Sequence, residues 1–280
     1  MKHIVGLREI ADQFDLFLVD QYGVLHDGGA AYPGAVDGLA RLASGGRKVV
    51  VLTNSGKSAA ANLARLAGLG FSGSNLHAVL SSGEVAVRLV RSGALGPRFA
   101  IGADACVIGR VGDAYAFSPD EFRLVPRPQD ADFLVFAGSD APRTTWADTY
   151  RSMLTGAAQA RVPAICINPD LTMIQDGELV PAPGAIARLY ESLGGPVDYV
   201  GKPYPAIFDH AVAIAAMDAG ARVVMIGDSP EHDVAGARAM GLSTLLVRTG
   251  IHRDLDEQRL LRFCEGCNAV PDFLTAAFAW

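Results

Sequence analysis

Short apolar runs alternate along this chain with stretches of helical spacing, and nearly every run ends in small or polar residues. The pattern predicts strands over 16–19, 49–52, 223–226 and 244–247, and helices over 35–42, 59–69, 206–216 and 234–240. Val49-Val50-Val51-Leu52 is apolar at every position, as a strand covered on both faces must be. Strand alternating with helix indicates a mostly parallel sheet with helices against it. Gly45-Gly46 and Gly68 with Gly70 are the predicted helix stops. The runs end in Asp20-Gln21, Thr53-Asn54-Ser55 and Gly227-Asp228-Ser229, as expected if one edge of the sheet carries a polar site.

The middle of the chain forms a second set of elements. From about residue 82 to 183 the pattern predicts strands over 98–101, 106–108, 133–136 and 164–167, and a helix over 146–160. Leu80-Ser81-Ser82-Gly83 and Pro181-Ala182-Pro183-Gly184 flank this stretch and read as hinges. The expected organisation is a discontinuous core domain of residues 1–81 and 184–280, interrupted by an inserted domain, 82–183, of ordinary domain size. No internal repeat or low-complexity tract breaks this scheme.

Composition narrows the function. With 280 residues, half of them hydrophobic, the chain can bury a large core, and its net charge of −6 argues against a nucleic-acid partner. Its apolar runs are too short to cross a bilayer. Met1 to Asp12 has no apolar signal core, so the expected location is cytoplasmic. Cys264-Glu-Gly-Cys267 has the gap used by zinc and redox sites, but no second ligand pair stands near and no βαβ unit follows, so no such site is read there. Gly56-Lys57-Ser58 imitates the end of a phosphate-binding P-loop, which needs a glycine where Val51 stands.

Four elements remain, in order: Asp20; Thr53-Asn54-Ser55; Gly201-Lys202-Pro203; and Gly227-Asp228 with Asp233. Each alone is ordinary turn or capping chemistry. Together, in this order, they resemble the four motifs of the haloacid dehalogenase superfamily of phosphohydrolases, over roughly Asp15 to Val270. The short interval from Asp20 to Thr53 and the large insertion before Lys202 resemble the class IIA, NagD-like branch, as do Asn168-Pro169-Asp170 and Tyr32-Pro33-Gly34-Ala35. The resemblance implies an α/β fold: a Rossmann-like parallel-sheet core with an inserted α/β class II cap.

It also implies a chemistry. Two carboxylates such as Asp20 and Asp228, brought together at one strand edge, repel by about 4 kcal/mol at ~4 Å and an effective dielectric near ~20. Mg2+ removes that penalty and suits carboxylate and phosphate oxygens. By resemblance, Asp20 is the nucleophile that forms an aspartyl-phosphate. Thr53 (hydroxyl), Asn54 (backbone amide) and Ser55 surround the phosphoryl oxygens, and Lys202 neutralises their charge. Asp20, Asp228 and the backbone carbonyl of Tyr22 hold the metal, with Asp233 supporting it from behind. Asn168 and Asp170 belong near the cleft, which a closing cap shields from water. The implied partner is a small phosphorylated metabolite (a sugar, nucleotide or short organic phosphate). Neither a membrane nor a nucleic acid is implied, and a homodimer through the cap stays open.

Tyr22 is the departure. In the family's phosphatases the residue two after the nucleophile is a second aspartate, which protonates the leaving group and then activates water. Positioned acid–base catalysis is worth about 10²–10⁴-fold. A phenol with a pKa near ~10 donates a proton but is a poor base at neutral pH. A slow phosphatase is therefore expected, with a non-catalytic or very slow binder of a phosphorylated metabolite as the alternative. Dehalogenases of the superfamily share the Asp-x-Tyr-Gly arrangement, but their cap lies between the first two motifs and they lack the metal aspartate, which Asp228 supplies here. His26 and Asp27 are weak candidates for the missing base, with a turn role favoured for Asp27. His232 reads as exposed decoration of a helix start.

Overall fold

The computed structural model describes residues 1–140, 144–175, 178–218 and 220–280, and divides into two compact units. The first comprises Met1–Thr53, Asn62–Leu80 and Lys202–Trp280; the second comprises Asn54–Ala61 and Ser81–Gly201.

The first unit is built on a seven-stranded sheet in the order Lys2–His3, Phe273–Thr275, Ser243–Val247, Val223–Gly227, Leu16–Val19, Lys48–Thr53 and Ala78–Ser81. Leu16–Val19 runs parallel to both neighbours, with Val19 opposite Val51 on one side and Ile226 on the other. All four of its residues are buried, which explains the uninterrupted apolar run. Phe17, Val19, Val49, Val51, Val224, Ile226 and Leu245 share one core cluster. From Leu16–Val19 the chain moves to one side, towards Lys48–Thr53. From Val223–Gly227 it moves to the other, towards Ser243–Val247. That divergence opens a crevice beyond the carboxyl ends of two adjacent strands, where Asp20 and Asp228 stand.

Helix Ala35–Ser44 buries Leu39 and Leu42 and stops at Gly45. The helix expected over 234–240 is preceded by a wider π-turn, Pro230–Val234, before α-helix Ala235–Ala239. In that turn Asp233 folds back, so that the Ser229 N–H donates to Asp233 Oδ2 at 3.1 Å. Widened turns of this kind recur at functional sites.

The second unit carries a five-stranded parallel sheet in the order Val197–Tyr199, Ala164–Cys166, Phe133–Phe136, Asp104–Ile108 and Arg123–Leu124, and an antiparallel hairpin, Thr172–Gln175 with Glu178–Pro181. Helices Trp146–Gln159 and Pro183–Ser192 cover its core of Leu134, Phe136, Tyr150, Leu154, Ile186 and Tyr190. The Tyr190 hydroxyl donates to the Val162 carbonyl at 2.7 Å.

Two expectations are corrected. The boundary expected between 183 and 184 falls after Gly201, because Val197–Tyr199 pairs with Ala164–Cys166 and Pro183–Ser192 packs in that core. The strand expected over 98–101 is a run of turns between Gly96 and Gly102, both left-handed at φ 86° and 81°. Phe99 is buried there with its ring 5.5 Å from that of Phe133, and a buried aromatic in a turn gives the same local signal as a strand residue. Cys106, Cys166, Cys264 and Cys267 are all free thiols. Burial pushes the Cys264 thiol up to about 11, which disfavours the thiolate that metal or redox chemistry needs. Among the described residues no helix is long and apolar enough to cross a membrane.

Candidate active site

Asp20 follows strand Leu16–Val19, and its N–H donates to the Ile226 carbonyl, so the ladder carries it to the mouth of the crevice. Asp228 follows Val223–Gly227 on the neighbouring strand. Adjacent strands lie about 4.8 Å apart, which sets how closely two such carboxylates can come. Asp20, Asp228 and Asp233 each present an oxygen within 4.8 Å of the others, all three residues buried. Lys202 opens the last segment of the unit and is itself buried. Its Nζ lies 2.7 Å from Asp20 Oδ1 and 2.6 Å from Asp233 Oδ1.

The floor of this cluster is glycine. Gly23 and Gly250 have left-handed φ of 82° and 77°, and a Cβ on either would run into the Asp228 carboxylate. The Ile251 N–H donates to Asp228 Oδ2 at 3.0 Å, and the Thr249 hydroxyl donates to the Gly23 carbonyl. The segment 249–251 was missed from sequence. Its signal was the one used for the other motifs, since Arg248-Thr249-Gly250 follows the apolar run ending at Val247.

Burial pushes the Asp20 carboxyl above the usual carboxylate range, against the downward pull of the Lys202 ammonium. Burial also raises Asp228, helped by the Asp20 and Asp233 charges. Burial alone would lower Lys202, but its two carboxylate neighbours outweigh that and raise it. Three carboxylates against one ammonium leave two negative charges uncompensated when all are ionised. An all-oxygen donor set with that excess fits a hard divalent cation such as Mg2+, not zinc, which prefers nitrogen and sulfur.

Tyr22 is 39% exposed, and its ring meets the His26 ring edge-on at 4.4 Å between centroids. His26 does not supply a base. It is fully buried, its Nδ1 accepts the Gly28 N–H at 3.0 Å, and burial and Arg65 depress it to about 4. Asp27 is a turn residue, its Oδ1 accepting the N–H groups of Gly29 and Ala30. His232 is half-buried, not exposed, with Nδ1 2.9 Å from Ser229 Oγ.

Thr53 ends strand Lys48–Thr53 and is buried. Asn54 and Ser55 follow it directly and open the second unit, where Asn168 and Asp170 also lie. There Asn54 Nδ2 donates to Asp170 Oδ1 at 2.9 Å, and Asn168 Oδ1 accepts the Asp170 N–H at 3.0 Å. Asn168 thus fixes Asp170, and Asp170 fixes the Asn54 amide. The Ser55 carbonyl accepts from Ser82 Oγ at 3.2 Å and its hydroxyl accepts from the Lys57 N–H, so Ser55 ties two segments of the second unit together.

Residues 17–114 match the family described as haloacid dehalogenase-like hydrolase, and residues 199–276 match a second description, HAD-hydrolase-like. Human chronophin is 30% identical over 98% of this chain and 94% of its own length. A haloacid dehalogenase-like hydrolase from Brucella suis shares the fold with a TM-score of 0.81 and 26% identity, covering 99% of this chain and all of that one. A glycerol phosphate phosphatase from Mycobacterium tuberculosis, crystallised in complex with magnesium, gives a TM-score of 0.71 and 26% identity over 95% of this chain and 76% of that one. The chain belongs to the haloacid dehalogenase-like hydrolases, as a phosphatase of the class IIA, NagD-like branch.

Proposed function

We propose that the chain hydrolyses a small phosphomonoester, with magnesium, through an aspartyl-phosphate on Asp20. The observation that carries this reading is the placement of Lys202 Nζ 2.7 Å from Asp20, with Asp228 grouped at the same strand edge. In this reading an Asp20 oxygen attacks phosphorus and the bond to the leaving oxygen breaks. That oxygen takes the Tyr22 hydroxyl proton and departs as an alcohol, and water reprotonates the phenolate. Water then attacks phosphorus, releasing inorganic phosphate and restoring the Asp20 carboxylate. Thr53, Asn54, Ser55 and Lys202 bind the phosphoryl oxygens. Asp170 and Asn168 are candidate substrate contacts in this reading, and they fix the Asn54 side chain, not the backbone amide that binds the phosphoryl group. Asp20, Asp228 and the Tyr22 carbonyl would hold magnesium, with Asp233 fixing Lys202 and the Ser229 turn. Once bound, the ion supplies charge neutralisation among the carboxylates and the phosphoryl group.

Turnover is slow in this reading because Tyr22 donates a proton but does not activate water. The same residue favours a second reading, a very slow homologue that binds a phosphorylated metabolite without consuming it. A sugar, nucleotide or short organic phosphate suits either reading. Phosphate release from a broad phosphomonoester panel decides between them. Release that requires magnesium and stops with chelator supports hydrolysis; binding of metal and phosphate with no release supports the second reading.

Gly250→Ala tests the metal site without touching a carboxylate. The added methyl displaces Asp228, so the half-saturating magnesium concentration should rise by about 10–100-fold, the cost of disturbing groups that orient a ligand. An unchanged magnesium titration would remove Asp228 from the site.

A further inference from the structure

Two groups that share one anchor pack on the Tyr22 ring. The His26 ring meets it edge-on at 4.4 Å. The Arg65 guanidinium lies 5.7 Å from the ring centroid, within cation–π range. Both holders are tied to Gly28: its N–H donates to His26 Nδ1 at 3.0 Å, and its carbonyl accepts from Arg65 Nη1 at 3.0 Å. Gly28 takes a left-handed φ of 102°, and the turn that carries it is closed by Asp27. Because Nδ1 is occupied as an acceptor, the imidazole proton sits on Nε2, which is buried and has no hydrogen-bond partner among the described residues. Orphaning a buried donor costs stability and adds nothing to the ion cluster, so packing against Tyr22 is the visible return. Arg65 comes from helix Ala59–Gly68, which follows the Thr53-Asn54-Ser55 motif but belongs to none of the four motifs.

We infer that Arg65 is a positioning residue for Tyr22: bridging the Gly28 carbonyl and the phenol face, it holds the hydroxyl where it protonates the leaving oxygen. This rests on the proposed role of Tyr22 as proton donor. The phosphorus–oxygen bond breaks, the leaving oxygen gains the phenolic proton, and water restores it. A donor matters when the leaving oxygen is a poor leaving group, as in an alkyl phosphate, and little when it departs as a stable nitrophenolate. The later attack of water is on the same aspartyl-phosphate whatever the substrate, so a defect there lowers kcat for both alike and leaves kcat/KM, which ends at departure of the leaving group, unchanged. Selectivity between them in kcat/KM therefore isolates proton donation from general damage.

The test compares Arg65→Met, Arg65→Lys and Tyr22→Phe on an alkyl phosphomonoester and on p-nitrophenyl phosphate. Arg65→Met is expected to lower kcat/KM for the alkyl substrate about tenfold more than for the aryl one, the scale of a misplaced acid. The aryl rate confirms that the variant is folded. Arg65→Lys, which keeps a cation and a donor, should recover part of the selective loss, and Tyr22→Phe should show the selective loss in full. Parallel loss on both substrates, or no loss on either, with Tyr22→Phe selective, overturns the role of Arg65 alone. Absence of selectivity in Tyr22→Phe itself overturns proton donation by Tyr22, and the Arg65 inference with it.

Discussion

Asp20→Asn should abolish phosphate release while leaving the protein folded. The substitution keeps shape and removes only the nucleophilic charge, and loss of a nucleophile costs on the order of 10⁴-fold or more in turnover. Stability should survive because Lys202 keeps its contact with Asp233 at 2.6 Å, so no buried ammonium is stranded. Removing the Asp20 charge gives up its attraction to Lys202, but it also removes the larger cost of burying a carboxylate, along with repulsion by Asp233. Thermal unfolding in chelator should therefore show a midpoint equal to or above that of the parent protein. Phosphate release within about tenfold of the parent would place the nucleophile elsewhere, since no attacking group would have been lost.

Tyr22→Asp should raise turnover, on the order of 10–100-fold, part of the range that a positioned acid–base group supplies. The side chain is 39% exposed, so the change opens no core cavity. The gain should fall mainly on the second half of the reaction, because a carboxylate can accept a proton from water at neutral pH and a phenol cannot. The Arg65 guanidinium, now over the ring, would face the new carboxylate and hold it in the charged form that a base requires. Rapid-quench kinetics separates the halves: the parent should accumulate phosphorylated protein, and the variant should turn it over. An unchanged rate on a substrate that binds well would mean that Tyr22 is not what limits the enzyme.

The four motifs were legible because of how buried parallel strands are written. Leu16–Val19 and Val223–Gly227 are covered on both faces, so each reads as an unbroken apolar run, and the first polar residue after it marks the strand's end. Asp20 and Asp228 were found that way. Lys202 follows only the short, half-buried strand Val197–Tyr199, and it was singled out through its place in the order of motifs. The same reasoning misjudged Phe99, whose burial in a turn imitates a strand, and the boundary at 183/184. An edge strand as short as Val197–Tyr199 has too few residues to show a period, and its neighbour in the sheet, Ala164–Cys166, is distant in sequence.

Taken by itself, the sequence determined the class of fold, the identity of the carboxylates and the lysine, and the anomaly at Tyr22. These follow from local pattern: an apolar run, the residue that ends it, and the order of such ends along the chain. Only the tertiary structure decided what meets what. Thr249 and Gly23 are 226 residues apart, yet they share the hydrogen bond that closes the floor beneath Asp228. Arg65 reaches Tyr22 because a helix face and a left-handed glycine turn converge, and neither leaves a motif in the chain. Strand order and the crevice it opens are set by long-range pairing, and residue spacing along the chain does not encode that distance.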